Sequence, residues 1–324
     1  MLNKDEASSI IDPIKQLNLY GYKEYFNSFV KIINSGNIPN TILISGPKGI
    51  GKATFVYHLI NYFFSIKEDE KYSLNNFSIS ENNSSFKLIN QNVHPNFFLL
   101  NGKDSESEIK VDQVRNLIAF LSKSTYSKDM KIILIDNAET LNLNSSNALL
   151  KALEEPAKKT FFFVIHNSST KLLETIKSRC IEYKITFTHE EKKDIFKKLV
   201  NFYNLKLENY IVDEDINFNS PGNIINYLMI LNQTNNISIL KNKLSVVLYF
   251  LEKIKKDKST KNFNYFSLFI EIFYANLFIK KNNPSIAFNN FTKIINLLNN
   301  MKKYNLDEKN ILIWIEEVIK KDAR

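Results

Sequence analysis

The chain has 324 residues, 44% of them hydrophobic and 24% charged, a globular composition long enough for two or three domains. One cysteine, Cys180, excludes internal disulfides and suits a reducing cytoplasm; with only four scattered histidines (His58, His94, His166, His189) it also argues against a structural zinc site. No apolar run approaches a membrane span, the residues from Met1 onward do not read as a signal peptide, and the net charge of +9 comes from lysines spread along the chain, which suits a solvated surface as well as an acidic or nucleic-acid partner.

Taken in chain order, Tyr25, Phe29, Ile32 and Ile33 recur at helical spacing before Gly36, and the stretch up to Asn40 is expected to be mostly helical. Thr41-Ile-Leu-Ile-Ser45 reads as a strand and Phe55 to Phe64 as a helix. Ser65 to Asn92 is polar and without period, and is expected to be an insertion or flexible loop. Asn96 to Leu100 reads as a second strand. Val111, Val114, Leu117, Ile118 and Leu121 mark an amphipathic helix. Lys131 to Ile135 is a buried strand ending at Asp136, Ser145 to Glu155 a helix stopped by Pro156, Phe161 to Ile165 another strand, and Ile181 to Ile185 suits a fifth. Continuous apolar strands alternating with helices predict an α/β fold with a parallel sheet covered on both faces.

Past Thr188 the strand signal ends. Glu190 to Leu205 reads as a helix, and Ser220-Pro221-Gly222 punctuates before another through Leu231. From Ile239 onward four apolar stripes, beginning at Leu244, Phe266, Phe288 and Ile311, predict a small helical bundle. They read as core or interface rather than as a cofactor box.

Between the first strand and its helix lies Gly46-Pro47-Lys48-Gly49-Ile50-Gly51-Lys52-Ala53-Thr54, which fits the phosphate-cradling pattern Gly-x-x-x-x-Gly-Lys. Glycines let successive N–H groups face a triphosphate, the following helix adds its positive end, and the lysine reaches the β- and γ-phosphates. The next residue normally carries the hydroxyl that ligates Mg²⁺. Here it is Ala53, and Thr54 lies about 100° further round the helix. ATP or ADP is therefore expected to bind more readily than Mg²⁺-dependent hydrolysis proceeds.

Asp136 at the end of its strand suits an acidic group that holds Mg²⁺ through water, or a helix N-cap. The next residue, Asn137, cannot accept a proton, so general-base help is expected to be missing; Glu139 is expected to turn away by strand alternation. Asn167, after the strand Phe161 to Ile165, suits contact with a γ-phosphate in the ligand crevice, or a turn within Asn167-Ser168-Ser169. Arg179 in Ser178-Arg179-Cys180 suits a surface ion pair or an arginine finger offered to a phosphate on a neighbouring subunit. Spacing alone does not choose between them.

Asp136-Asn-Ala-Glu-Thr-Leu-Asn142, Asn147-Ala-Leu-Leu-Lys-Ala-Leu-Glu-Glu-Pro156 and Thr175-Ile-Lys-Ser-Arg-Cys180, with His94-Pro95 and the loop from Gly46 to Thr54, resemble the bacterial clamp-loader family, in particular the delta-prime subunits of DNA polymerase III. The resemblance runs from about Leu19 to Ile185. It implies an AAA+ architecture: a P-loop domain over 1–187, a helical lid over 188–235 and a helical collar over 236–324. It also implies a heteropentamer with gamma/tau and delta subunits that loads a sliding clamp onto primed DNA. In that family the arginine of the Ser-Arg-Cys triplet acts in trans on a neighbour's ATP, so the resemblance gives Arg179 the catalytic role and sets the helix from Ser145 near the same interface. The four cysteines of the family's zinc module are absent. Motor subunits carry Ser or Thr at Ala53, Glu at Asn137 and an arginine at Asn223, so the resemblance implies a subunit with little hydrolysis of its own. An ATP-hydrolysing motor of the same superfamily is the alternative, kept open by Lys52 and Asp136; a small-molecule P-loop kinase would need a charged acceptor lid that the apolar C-terminal stripes do not offer.

Overall fold

Five strands, β1 (Thr41–Gly46), β2 (Phe97–Leu100), β3 (Lys131–Ile135), β4 (Thr160–Asn167) and β5 (Ile181–Lys184), form one sheet in the order β2-β3-β4-β1-β5 with every neighbouring pair parallel. The computed structural model describes residues 10–102, 108–123, 130–205, 219–232, 242–257, 260–280, 285–304 and 308–324. Parallel neighbours need crossovers, and the crossover helices cover both faces, so the inner strands bury consecutive residues. β3 is buried at all five positions, and Ile42 to Ile44 of β1 are fully enclosed.

Strand alternation divides the core. On one face lie α1 (Lys23–Asn34) and α2 (Lys52–Ser65), with α3 (Ser84–Asn90) beside α2. Phe161 and Phe163 of β4 meet Phe63 there, and Phe29 of α1 meets Phe55. On the other face Phe162 and Val164 join Leu117 of α4 (Val111–Ser122), Leu149 and Leu153 of α5 (Leu143–Glu154) and Ile176 of α6 (Glu174–Lys177).

Two expectations are corrected. The residues before Asn40 are not mostly helical: among those described, only a 3₁₀ turn at Pro13–Lys15 precedes α1. The chain there is used for pairing, with the Leu19 N–H donating to Phe77 O, the Ile79 N–H to Leu17 O, and a bridge between Asn18 and Ser78. Gly36 does close α1, at φ 73°. Nor is Ser65 to Asn92 a flexible loop. Tyr72, Ile79, Phe86 and Ile89 are buried within it. The Glu68 carboxylate accepts from Asn83 Nδ2 and Ser85 Oγ, both at 2.5 Å, and Asn83 Oδ1 caps α3 by accepting from the Phe86 N–H at 2.7 Å. Polar groups order this segment by bonding one another, a pattern without period.

The chain divides into two compact units, residues 11–191 and residues 192–324, the latter joined by Ile10. The second unit is helical among its described residues. It holds most of α7 (His189–Phe202), then α8 (Pro221–Asn232), α9 (Lys243–Lys256), α10 (Thr260–Lys280), α11 (Ser285–Tyr304) and α12 (Glu308–Asp322). The four predicted stripes are α9 to α12. One core joins Phe196, Ile224, Phe250, Phe269, Ile294 and Ile319, with Phe250 stacked on Phe269 at 4.3 Å. The buried Asp322 carboxylate accepts from Tyr274 Oη at 2.7 Å and Asn290 Nδ2 at 3.0 Å, tying α12 to α10 and α11. Ile239 and the expected boundary at 235/236 lie outside the described residues.

Candidate functional site

β1 runs into the loop at Gly46, where there is no room for a side chain: a Cβ there would lie 2.8 Å from the carbonyl oxygen of Ile185. Gly49 and Gly51 take φ of 76° and 96°, left-handed values that glycine adopts without strain. α2 then starts at Lys52, so its first unpaired N–H groups face the loop. Pro47 and Lys48 are exposed at the apex, and Ala53 and Thr54 are half-buried on the first turn of α2.

Lys52 is 7% exposed, and its Nζ donates to the carbonyl oxygens of Gly46 and Pro47, both at 2.8 Å. Burial lowers its pKa to about 8, against the raising influence of Glu139 and Asp136. Asp136 follows β3 and is half-buried. Burial raises its pKa, Glu139 adds to the rise, and a hydrogen bond from the Asn137 backbone and the charge of Lys52 oppose it.

Glu139 does not turn away. Asn137 takes a left-handed φ of 55°, which breaks the strand alternation on which that expectation rested. Glu139 Oε2 then accepts from the Asn167 N–H at 3.3 Å. Asn167 pairs with Gly46 across the β1–β4 ladder, so Lys52, Asp136, Glu139 and the end of β4 converge at the loop. The Asn167 side chain is engaged in its own turn, its Oδ1 accepting from the Ser169 N–H at 3.2 Å.

Tyr22 was not anticipated from the sequence. It is 2% exposed, stacks on Phe55 at 4.7 Å and donates from Oη to Ile50 O at 3.0 Å. Its ring lies 3.4 Å from where a Cβ on Gly51 would sit, so it backs the loop from behind. The usable signal was an aromatic residue just before the α1 stripe, where a helical reading of the whole segment hid it.

The loop fits phosphates: close approach at Gly46, left-handed glycines, a helix start and a lysine are all present. Its residues would supply N–H donors from Lys48 to Ala53 and the charge of Lys52, once that side chain leaves the Gly46 and Pro47 carbonyls. It fits Mg²⁺ less well, because Ala53 brings no oxygen. Among the described residues no group of three or more His, Cys, Asp or Glu could hold a metal ion.

Arg179 lies away from this loop, in the turn between α6 and β5. Its Nε donates to Glu154 Oε1 at 2.7 Å, its Nη2 donates to the same oxygen, and its Nη1 donates to Thr175 O at 2.8 Å. The Arg179 side chain is 28% exposed and that of Glu154 46%. The main chain is pinned by Thr41 Oγ1, which donates to Arg179 O at 2.6 Å. The adjoining Cys180 is half-buried, and burial pushes its thiol up to about 11. Asn223 stands in the first turn of α8, its N–H 3.4 Å from Ser220 Oγ.

The family model described as "DNA polymerase III, delta subunit" matches residues 21–189, more than half of the chain. The chain belongs to this family. The subunit delta' of DNA polymerase III from Pseudomonas aeruginosa is 34% identical over 140 residues, 43% of this chain and 41% of the relative. The subunit delta' from Buchnera aphidicola subsp. Baizongia pistaciae is 26% identical over 317 residues, 94% of this chain and 77% of the relative. Most of the first curated relatives are matched over half of their length or less. A solved gamma subunit-related protein of DNA polymerase III from Thermotoga maritima superposes over 92% of this chain and 99% of its own, at 16% identity and a TM-score of 0.44. The five-stranded parallel sheet with its glycine loop and helix after β1 is the α/β arrangement expected from the sequence.

Proposed function

We infer that the protein is a clamp-loader subunit of the delta-prime type, which assembles with gamma/tau and delta subunits, helps place a sliding clamp on primed DNA, and offers Arg179 to ATP held by a neighbouring subunit. The observation that carries this reading is the contrast between its two sites. Its own loop keeps the phosphate cradle but has Ala53 in place of a metal-ligating hydroxyl and Asn137 in place of a base. Arg179, in a triplet matching the family's trans arginine, stands partly exposed on a separate edge of the same domain. An arginine supplied in trans accelerates phosphoryl transfer by about 10³–10⁵.

One observation favours the second reading, an ATP-hydrolysing motor. Glu139 brings a carboxylate to the loop that the residue after Asp136 lacks. That carboxylate is already engaged with the Asn167 N–H, and Ala53 still leaves the metal short of a ligand. A steady-state ATPase assay of the isolated chain separates the two readings. The delta-prime reading expects little or no turnover; turnover at ordinary enzymatic rates, lost on Lys52→Ala, would establish the motor.

A further inference from the structure

We propose that Glu154 is a positioning residue for Arg179, bracing the guanidinium along its inner edges so that its outer edge is presented to a phosphate. The inference rests on the arginine-finger reading above and adds to it the group that sets the finger.

A guanidinium carries five N–H donors in a rigid plane. The Nε–H and one Nη2–H converge on Glu154 Oε1, and one Nη1–H goes to Thr175 O, with a long 3.4 Å approach to Ser178 Oγ. These partners occupy the edge facing α5 and the flank facing the main chain of α6. What remains among the described residues is the end-on pair, one N–H of Nη2 with no partner and one of Nη1 held at most by the long approach to Ser178 Oγ. That pair forms the fork with which arginine meets two phosphate oxygens.

The position of Glu154 supports the same role. It is the last residue of α5, followed by Glu155, at the end of a helix where the macrodipole favours cations and disfavours carboxylates. An exposed ion pair contributes little to stability, so fold stability does not account for a carboxylate there. The backbone of Arg179 is already fixed by Thr41 Oγ1 and by its own N–H on Ile176 O. The long side chain is what remains to be ordered, and ordering it before assembly removes that cost from the encounter with the neighbour's ATP.

The test is the steady-state ATPase of the complex reconstituted from this chain with gamma/tau, delta, clamp and primed DNA. Arg179→Ala should lower kcat by about 10³-fold or more. Glu154→Ala should lower kcat roughly ten-fold with KM for ATP unchanged, because the lost alignment matters in the transition state. Glu154→Gln, whose amide oxygen still accepts from Nε, should recover much of that loss. In the Arg179→Ala background Glu154→Ala should change nothing further, and the melting temperature of the free chain should stay at its wild-type value. Equal or faster turnover in Glu154→Ala would overturn the brace, as would an equal slowing with and without Arg179. A fully active Arg179→Ala complex would instead remove the finger itself.

Discussion

At the scale of single residues, the phosphate loop was legible because each part answers a fixed steric or electrostatic need: Gly46 for close approach, Gly49 and Gly51 for left-handed turns, Lys52 for charge. Glu139 was misread because the left-handed Asn137 reverses which side chains face the site, and one residue's φ is not visible in a period-two pattern. Glu154 sits in the Glu-Glu-Pro motif, but its partner Arg179 lies 25 residues away, beyond what a local pattern shows. Lys52 gives a pH test. Its pKa is lowered to about 8 by burial, so the folded chain binds fewer protons than the unfolded one between pH 8 and the ordinary lysine range. Stability therefore rises with pH through that window, and below pH 8 the buried charge costs stability. Phosphates need the charged form, so ADP affinity should weaken about ten-fold from pH 7 to pH 9 as the protonated fraction falls. Calorimetric titration at both pH values checks it; an unchanged affinity would show that Lys52 does not carry the phosphate contact.

At the scale of elements, the strands and long helices could be read from apolar runs and period, and β3 begins and ends where the run from Lys131 to Ile135 does. The segment from Ser65 to Asn92 could not, because its buried residues Tyr72, Ile79, Phe86 and Ile89 follow no period and Glu68, Asn83 and Ser85 order the rest by bonding one another. Lys131 shows the same limit. It reads as the polar start of a strand, yet it is 5% exposed and its Nζ donates to Phe120 O at 3.0 Å, Leu121 O at 3.1 Å and also to Lys123 O. It thus closes the C-terminal end of α4, whose last carbonyls have no partner within the helix. Lys131→Met keeps the volume but takes the ammonium donor from Leu121 O and Lys123 O, leaving Phe120 O only the Lys123 N–H at 3.3 Å, and should cost about 1–3 kcal/mol. Faster amide exchange in α4 together with a lower melting temperature would bear this out; an unchanged α4 would mean that solvent serves those carbonyls equally well.

At the scale of the whole molecule, the chain carries an α/β unit that holds both candidate sites and a helical unit with a continuous core of its own. Four apolar stripes at helical spacing announced the second unit. Its internal division was less legible, since helices from both expected parts contribute to one core. No helix among the described residues is long and apolar enough to cross a membrane. The claim at the centre is that the ATP served by Arg179 lies in another subunit. The direct measurement is single-turnover ATP hydrolysis by the reconstituted complex, comparing wild type, Arg179→Ala and Lys52→Ala. The account predicts a loss of about 10³-fold or more with Arg179→Ala and near-normal hydrolysis with Lys52→Ala. The reverse pattern, activity lost with Lys52→Ala and kept with Arg179→Ala, would contradict it.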